Sequence, residues 1–254
     1  MTRQLSAMAF AAVFAVTLSA DRFADIEITP LVHSSVQIEY AGKVIQVDPW
    51  TRADLSKAKK ADLILITDEP GHHLDPKAIA LLRKPGAPIV IPQGNRAAGR
   101  SNAQKQVPDG ITLANGETQT VAGVKVEAIG AYDLTPGEPC HPKGEANGYV
   151  ITLGTARIYF AGVTQCVPEV RGLKDISVAF FPMNLPLGRM EPDAAIECLR
   201  VIKPKVVYPY HYDQAWTSAG RDALPMPTTK GLQELKTALQ KDAIEVRLAN
   251  WYLQ

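Results

Sequence analysis

The chain has 254 residues, of which 46% are hydrophobic and 21% charged, enough for a full core and too apolar for intrinsic disorder. Its 27 basic and 26 acidic side chains nearly cancel, and without residues 1–20, whose single charge is Arg3, the count is 26 against 26. A balanced chain gives no electrostatic ground for nucleic acid or an anionic membrane as partner.

Residues 1–20 read as a cleaved export signal. Arg3 supplies the positive start, Met8 to Leu18 the apolar stretch, and Thr17-Leu18-Ser19-Ala20 the small residues of a cleavage site near Ala20 or Ala24. The apolar run is shorter than the roughly 20 residues a membrane span needs. The expectation is therefore a periplasmic or secreted protein, without integral membrane association after processing, whose domain covers residues 25–254.

The remaining elements follow in order. Ile26–Thr29, Val36–Tyr40 and Val44–Val47 read as strands, with Ala41-Gly42-Lys43 as a hairpin turn. Leu63–Thr67 is a continuous apolar run, the pattern of a strand covered on both faces. Asp75 caps a helix that Pro76 opens and that reaches about Lys84. Pro88–Ile91 is a further strand, and residues 94–116 suit a helix followed by an exposed loop. Strands are expected again at Thr118–Val121, Val124–Ile129, Tyr149–Leu153, Arg157–Ala161 and Asp175–Phe181. Pro192–Ile202 reads as an amphipathic helix, Val206–Tyr210 as a strand, Thr229–Lys241 as a helix and Ile244–Leu248 as the closing strand. Two blocks of antiparallel strands, each trailed by helices, predict two packed sheets with helices outside. No Gly-, Ser- or Pro-rich linker divides them, so a single domain with two related halves is expected. Of three cysteines, Cys140, Cys166 and Cys198, none lies in a CxxC pair. Cys198, on a helical apolar face, reads as a small buried hydrophobe.

The chemistry lies in the five histidines, His33, His72, His73, His141 and His211, all near strand-to-loop junctions. Such junctions are where open α/β sheets place ligands, and neutral imidazoles suit zinc and other borderline cations. No Gly-x-Ser-x-Gly elbow and no phosphate-binding glycine loop is present, which argues against a serine hydrolase and against nucleotide cofactors.

The segment Leu63-Ile64-Leu65-Ile66-Thr67-Asp68-Glu69-Pro70-Gly71-His72-His73-Leu74-Asp75-Pro76 resembles the strand and loop of metallo-β-lactamase-fold hydrolases, an apolar strand followed by Thr-His-x-His-x-Asp-His. Val47-Asp48-Pro49-Trp50, His141-Pro142-Lys143-Gly144 with Gly148-Tyr149-Val150, the strand Arg157–Thr164 and Val206–Tyr212 resemble further family segments in the same order. The resemblance covers about residues 25–254 and is strongest toward lactonase-like and phosphodiesterase-like members. It implies an α/β (α+β) fold, a four-layer αβ/βα sandwich in one domain. His73, His141 and His211 stand at family ligand positions. Asp68 and Pro70 replace the first two motif histidines, His72 the motif aspartate, and Val163 the aspartate that bridges two metals.

Proline and valine offer no donor, so the family's binuclear centre cannot assemble. The expected metal residues are His72, His73, His141 and His211, with one zinc ion at most, held on the His72/His73/His211 side. Asp48 and His33 are expected to support the ligands from behind. Asp68 and Glu69 are the candidate general bases, and Tyr212, Tyr132 and Trp50 are candidates for the pocket wall or for plain core packing; Tyr212, beside His211, joins the catalytic candidates. Two readings follow: a single-metal hydrolase of a small-molecule ester, lactone, amide or phosphodiester, or a metal-free member of the fold that binds a ligand or catalyses a non-hydrolytic reaction.

Overall fold

The computed structural model describes residues 20–94, 102–136, 141–212, 229–249 and 251–252; the proposed export signal and Cys140 lie outside them. The first half builds β1 (Asp21–Phe23), β2 (Ile26–Val32), β3 (Ser35–Tyr40), β4 (Lys43–Val47), β5 (Leu63–Leu65), α1 (Pro76–Leu82), β6 (Ile89–Pro92), α2 (Asn102–Gln106) and β7 (Ile111–Leu113). The second builds β8 (Thr118–Val121), β9 (Val124–Ala131), β10 (Ala146–Leu153), β11 (Ala156–Phe160), α3 (Pro168–Arg171), β12 (Val178–Pro182), α4 (Pro192–Ile202), β13 (Val206–Tyr210), α5 (Thr229–Gln240) and β14 (Glu245–Val246).

Each half makes a seven-stranded sheet with its strands in sequence order. The first four strands of each sheet pair antiparallel and the last four parallel, so the fourth strand belongs to both ladders. Local chemistry explains the joints. Ala41 and Gly42 both take positive φ in the β3–β4 turn, as a two-residue hairpin demands. Asp75 accepts from the backbone N–H groups of Lys77 and Ala78 and so caps α1, with Pro76 at its first position. β5 ends at Leu65 rather than Thr67, because the Thr67 N–H turns to the Asp48 carboxylate.

The sheets face one another across a core containing Ile28, Ile38, Leu65, Tyr149, Phe160, Phe180 and Trp251. Helices α1 and α2 pack on the outer face of the first sheet around Ile64, Ile66 and Ile89. Helices α3, α4 and α5 cover the second around Phe181, Leu199 and Leu235. The result is a four-layer αβ/βα sandwich.

Cys198 is not the simple buried hydrophobe its helical position implies. The apolar face of α4 lies against the loop that carries Cys166, and the two sulfurs form a disulfide. Strands β1 and β7, three residues each, were not anticipated because tertiary pairing rather than local pattern makes them; the four-residue α3, which Pro168 opens and Gly172 ends, was not anticipated either.

Candidate metal centre

The site forms where parallel strands end, beside one antiparallel hairpin turn. His33 sits in the β2–β3 turn, Asp48 follows β4, residues 66–75 follow β5, and His211 follows β13. His33, Asp48 and His211 all have positive φ, 54°, 43° and 52°. Non-glycine residues held there cost on the order of 1–3 kcal/mol each, and such strain concentrates at functional sites. The His211 N–H donates to the His33 carbonyl at 3.1 Å, which closes the first half onto the second at this point.

His33, His72 and His211 each present a ring nitrogen, all within 4.8 Å of one another. His33 Nδ1 is 2.8 Å from the Tyr252 hydroxyl. Its Nε2 is buried and has no hydrogen-bond partner among the described residues. A buried, unsatisfied imidazole nitrogen is costly unless something occupies its lone pair. Burial first, then the charges of neighbouring rings, pushes His33 and His211 well below the ordinary histidine range. The same causes bring His72 down to about 3. All three are neutral bases at pH 7, the form that ligates. Nitrogens 2.0–2.1 Å from one tetrahedral ion would stand roughly 3.4 Å apart, so ring rotations of about an ångström would complete such a site. The donor set fits a borderline divalent cation.

His73 has a different setting. Its Nδ1 lies 2.7 Å from Asp48 Oδ2, and its Nε2 is 3.1 Å from Nε2 of His211. Burial works against charge on His73, but the Asp48 carboxylate outweighs it and raises the imidazole. Asp48, fully buried, also accepts from Thr67 N–H at 2.7 Å and Thr67 Oγ1 at 2.5 Å. This carboxylate–histidine pair orients the ring beside the cluster, as outer partners do around metal sites. His33, expected behind the ligands, presents a ring nitrogen to the cluster; His73 also turns its Nε2 toward the cluster, against His211, with Asp48 behind its other nitrogen.

His141 does not join the triangle. Its Nε2 is 3.1 Å from Asp68 Oδ2, and the charge of Asp68 in turn reaches His72 and His73. Burial tends to raise the Asp68 carboxyl, but His141 and the charge of His73 outweigh it and leave it below the ordinary range. Glu69 points elsewhere, its Oε1 accepting from the Ala103 N–H of α2 at 3.2 Å. Half-buried Trp50 lies 6.0 Å from the His72 ring and 6.1 Å from His33, with the Arg52 guanidinium 5.4 Å from its own ring centre. Tyr212 packs its ring edge-on to Tyr252. Val163, at the family's bridging position, is buried in the core of the second half.

Fold and site together define the class. The family model described as the β-lactamase superfamily domain matches residues 27–211, and the chain belongs to that family. A crystal structure of a candidate metal-dependent hydrolase from Parabacteroides distasonis is 37% identical, with a TM-score of 0.76 over 91% of this chain and 98% of that one. A UPF0173 metal-dependent hydrolase of Thermococcus onnurineus is 29% identical over 78% of this chain and 88% of its own length. Igni18 of Ignicoccus hospitalis, described as a novel metallo hydrolase, shares the fold at 20% identity and a TM-score of 0.67, covering 88% of this chain and 94% of that one.

Proposed function

We propose that this protein is a single-metal hydrolase of a small ester, lactone, amide or phosphodiester, with zinc held by His33, His72 and His211. The observation that carries this reading is the triangle of neutral imidazoles in which His33 Nε2 is buried and unsatisfied. The names of the relatives support hydrolysis as the chemistry. Bound zinc would acidify a water molecule and polarise the scissile carbonyl or phosphoryl group. The chain's own residues do the rest. Asp68, kept as a carboxylate whose charge reaches His72 and His73, would be the group to accept a proton released at the site. Asp48 holds His73 against His211, and Trp50 offers an apolar wall to the part of the substrate next to His72. The Cys166–Cys198 disulfide supports a place outside the cytoplasm, since such bonds persist in oxidising compartments.

The direct His73–His211 contact at 3.1 Å favours the second reading, a metal-free member of the fold, because it occupies a His211 nitrogen without an ion. Metal analysis separates the two. Protein expressed with zinc and never exposed to chelator should contain about one equivalent and should hydrolyse at least one of p-nitrophenyl acetate, a γ-lactone, an anilide or bis(p-nitrophenyl) phosphate. Less than about a tenth of an equivalent of any metal would overturn the metallohydrolase, and two equivalents would overturn the single site.

A further inference from the structure

Behind Asp68 lies a buried chain of charged groups. Asp133, just past β9, and Arg189, just past β12, have side chains 1% and 2% exposed. Arg189 Nη1 donates to Asp133 Oδ1, and Arg189 Nε donates to the Pro186 carbonyl at 2.7 Å. Asp133 Oδ2 accepts the backbone N–H of His141 at 3.0 Å, and the Asp133 N–H donates to the His141 carbonyl at 2.9 Å. The loop bearing His141 is thereby fixed at both polar groups of its backbone. The imidazole then stands between two charges. Nδ1 is 3.4 Å from Arg189 Nη1, and Nε2 is 3.1 Å from Asp68 Oδ2. Asp68 Oδ1 in turn accepts the Glu69 N–H at 2.8 Å.

These contacts assign the tautomer. A guanidinium has donors only, so the ring nitrogen facing it must accept. Asp133 Oδ2, at 3.8 Å from Nδ1, is outside hydrogen-bond reach and already engaged. The His141 proton therefore sits on Nε2, the nitrogen on the Asp68 side, 3.1 Å from an Oδ2 that is buried and has no other hydrogen-bond partner among the described residues. An imidazole nitrogen that carries a proton has no lone pair for a metal.

We propose that His141 is not a metal ligand in this protein but the positioning residue of Asp68, locked by Asp133 and Arg189. The inference rests on the single-metal hydrolase reading and names what the lost half of the centre has become.

The tests use the full mature chain, with zinc content, the cobalt(II) visible spectrum, p-nitrophenyl acetate kinetics and the histidine 15N tautomer spectrum read in parallel. In wild type, His141 should show a protonated Nε2 and a bare Nδ1; the opposite tautomer overturns the proposal. His141→Ala should keep its full zinc content and an unchanged cobalt spectrum, while kcat falls ten- to a hundredfold and KM stays within about twofold, the loss typical of removing an outer partner. His141→Gln, which can still donate to Asp68, should recover part of that loss. Arg189→Met should lower kcat likewise at full zinc content; if it does not fold, Asp133→Asn/Arg189→Met, which leaves no charge unpaired, replaces it. Zinc lost from His141→Ala, or an altered cobalt spectrum, shows a ligand and overturns the assignment; wild-type kcat in that variant shows a bystander and overturns it equally. A wild type without zinc overturns the hydrolase reading first, a failure visible before any variant is made.

Discussion

Mild acid should destabilise the metal-free protein, and His72 sets the size of the effect. Burial, then the charge of His73, holds its folded-state pKa at about 3, against about 6.5 for an unfolded chain. A base depressed by folding binds its proton more readily when unfolded. Its stabilisation is therefore complete above about pH 6.5 and is lost as pH falls toward the folded value. At pH 5 the loss at this one residue would be about 2 kcal/mol, or about 1–2 kcal/mol once its partial exposure is allowed for. His33 and His211 are depressed as well and act in the same direction. His73 opposes them: raised by Asp48, it contributes below about pH 6.5 and loses that contribution as pH climbs through its folded value. For a domain of this size each kcal/mol moves Tm by roughly 2–4 °C, so His72 alone should account for about 2–8 °C between pH 7.5 and pH 5. Calorimetric melts of chelator-treated wild type and His72→Gln at pH 7.5, 6.5, 5.5 and 5 measure it. The wild type should lose more than the variant on acidification. Identical pH dependences in the two proteins would refute the reasoning.

Three further outcomes are expected. Breaking Cys166–Cys198, which closes a loop of sequence separation 32, should cost about 3–4 kcal/mol by the chain-entropy relation, and a Cys166→Ser protein with the wild-type urea midpoint would contradict it. Gly148→Ala should destabilise by about 1–3 kcal/mol, because a Cβ there would lie 2.9 Å from the carbonyl oxygens of both Phe160 and Ala161, which belong to the backbone and cannot swing away; an unchanged Tm would show that β10 and β11 can part. The mature protein should begin between Ser19 and Asp25, and intact-mass measurement from the native host checks this, an uncleaved Met1 species in the cytosolic fraction being the contrary result.

The long elements were legible because their signals are local. Pro192–Ile202 and Val206–Tyr210 match their expected bounds, and Asp75-Pro76 opens α1 as its capping chemistry requires. Elements made by distant pairing were not. Strand β1 has three residues, and its Asp21 is held by Tyr208 from the other sheet at 2.5 Å, a contact across 187 positions. At the site, the histidines could be picked out by type and by their places at strand ends, but not the direction of each ring. How the His33 and His73 rings face the cluster depends on the positive φ at His33, on Tyr252 behind it and on the buried Asp48 behind His73. Arg189 carried no signal at all, since its meaning comes only from Asp133 and His141, 56 and 48 positions away.

The triangle draws its corners from both halves of the chain: His33 and His72 come from the loops of the first sheet, His211 from the last parallel strands of the second. An ion held there would tie the two sheets at their rim, beside the His211–His33 and Asn147–Thr67 backbone hydrogen bonds, acting as a non-covalent staple across the seam. Its binding free energy would then oppose separation of the halves directly. Amide protons at the strand ends around Asp48, Thr67 and His211 should exchange more slowly in the metal-loaded protein, while those on the outer helices stay unchanged.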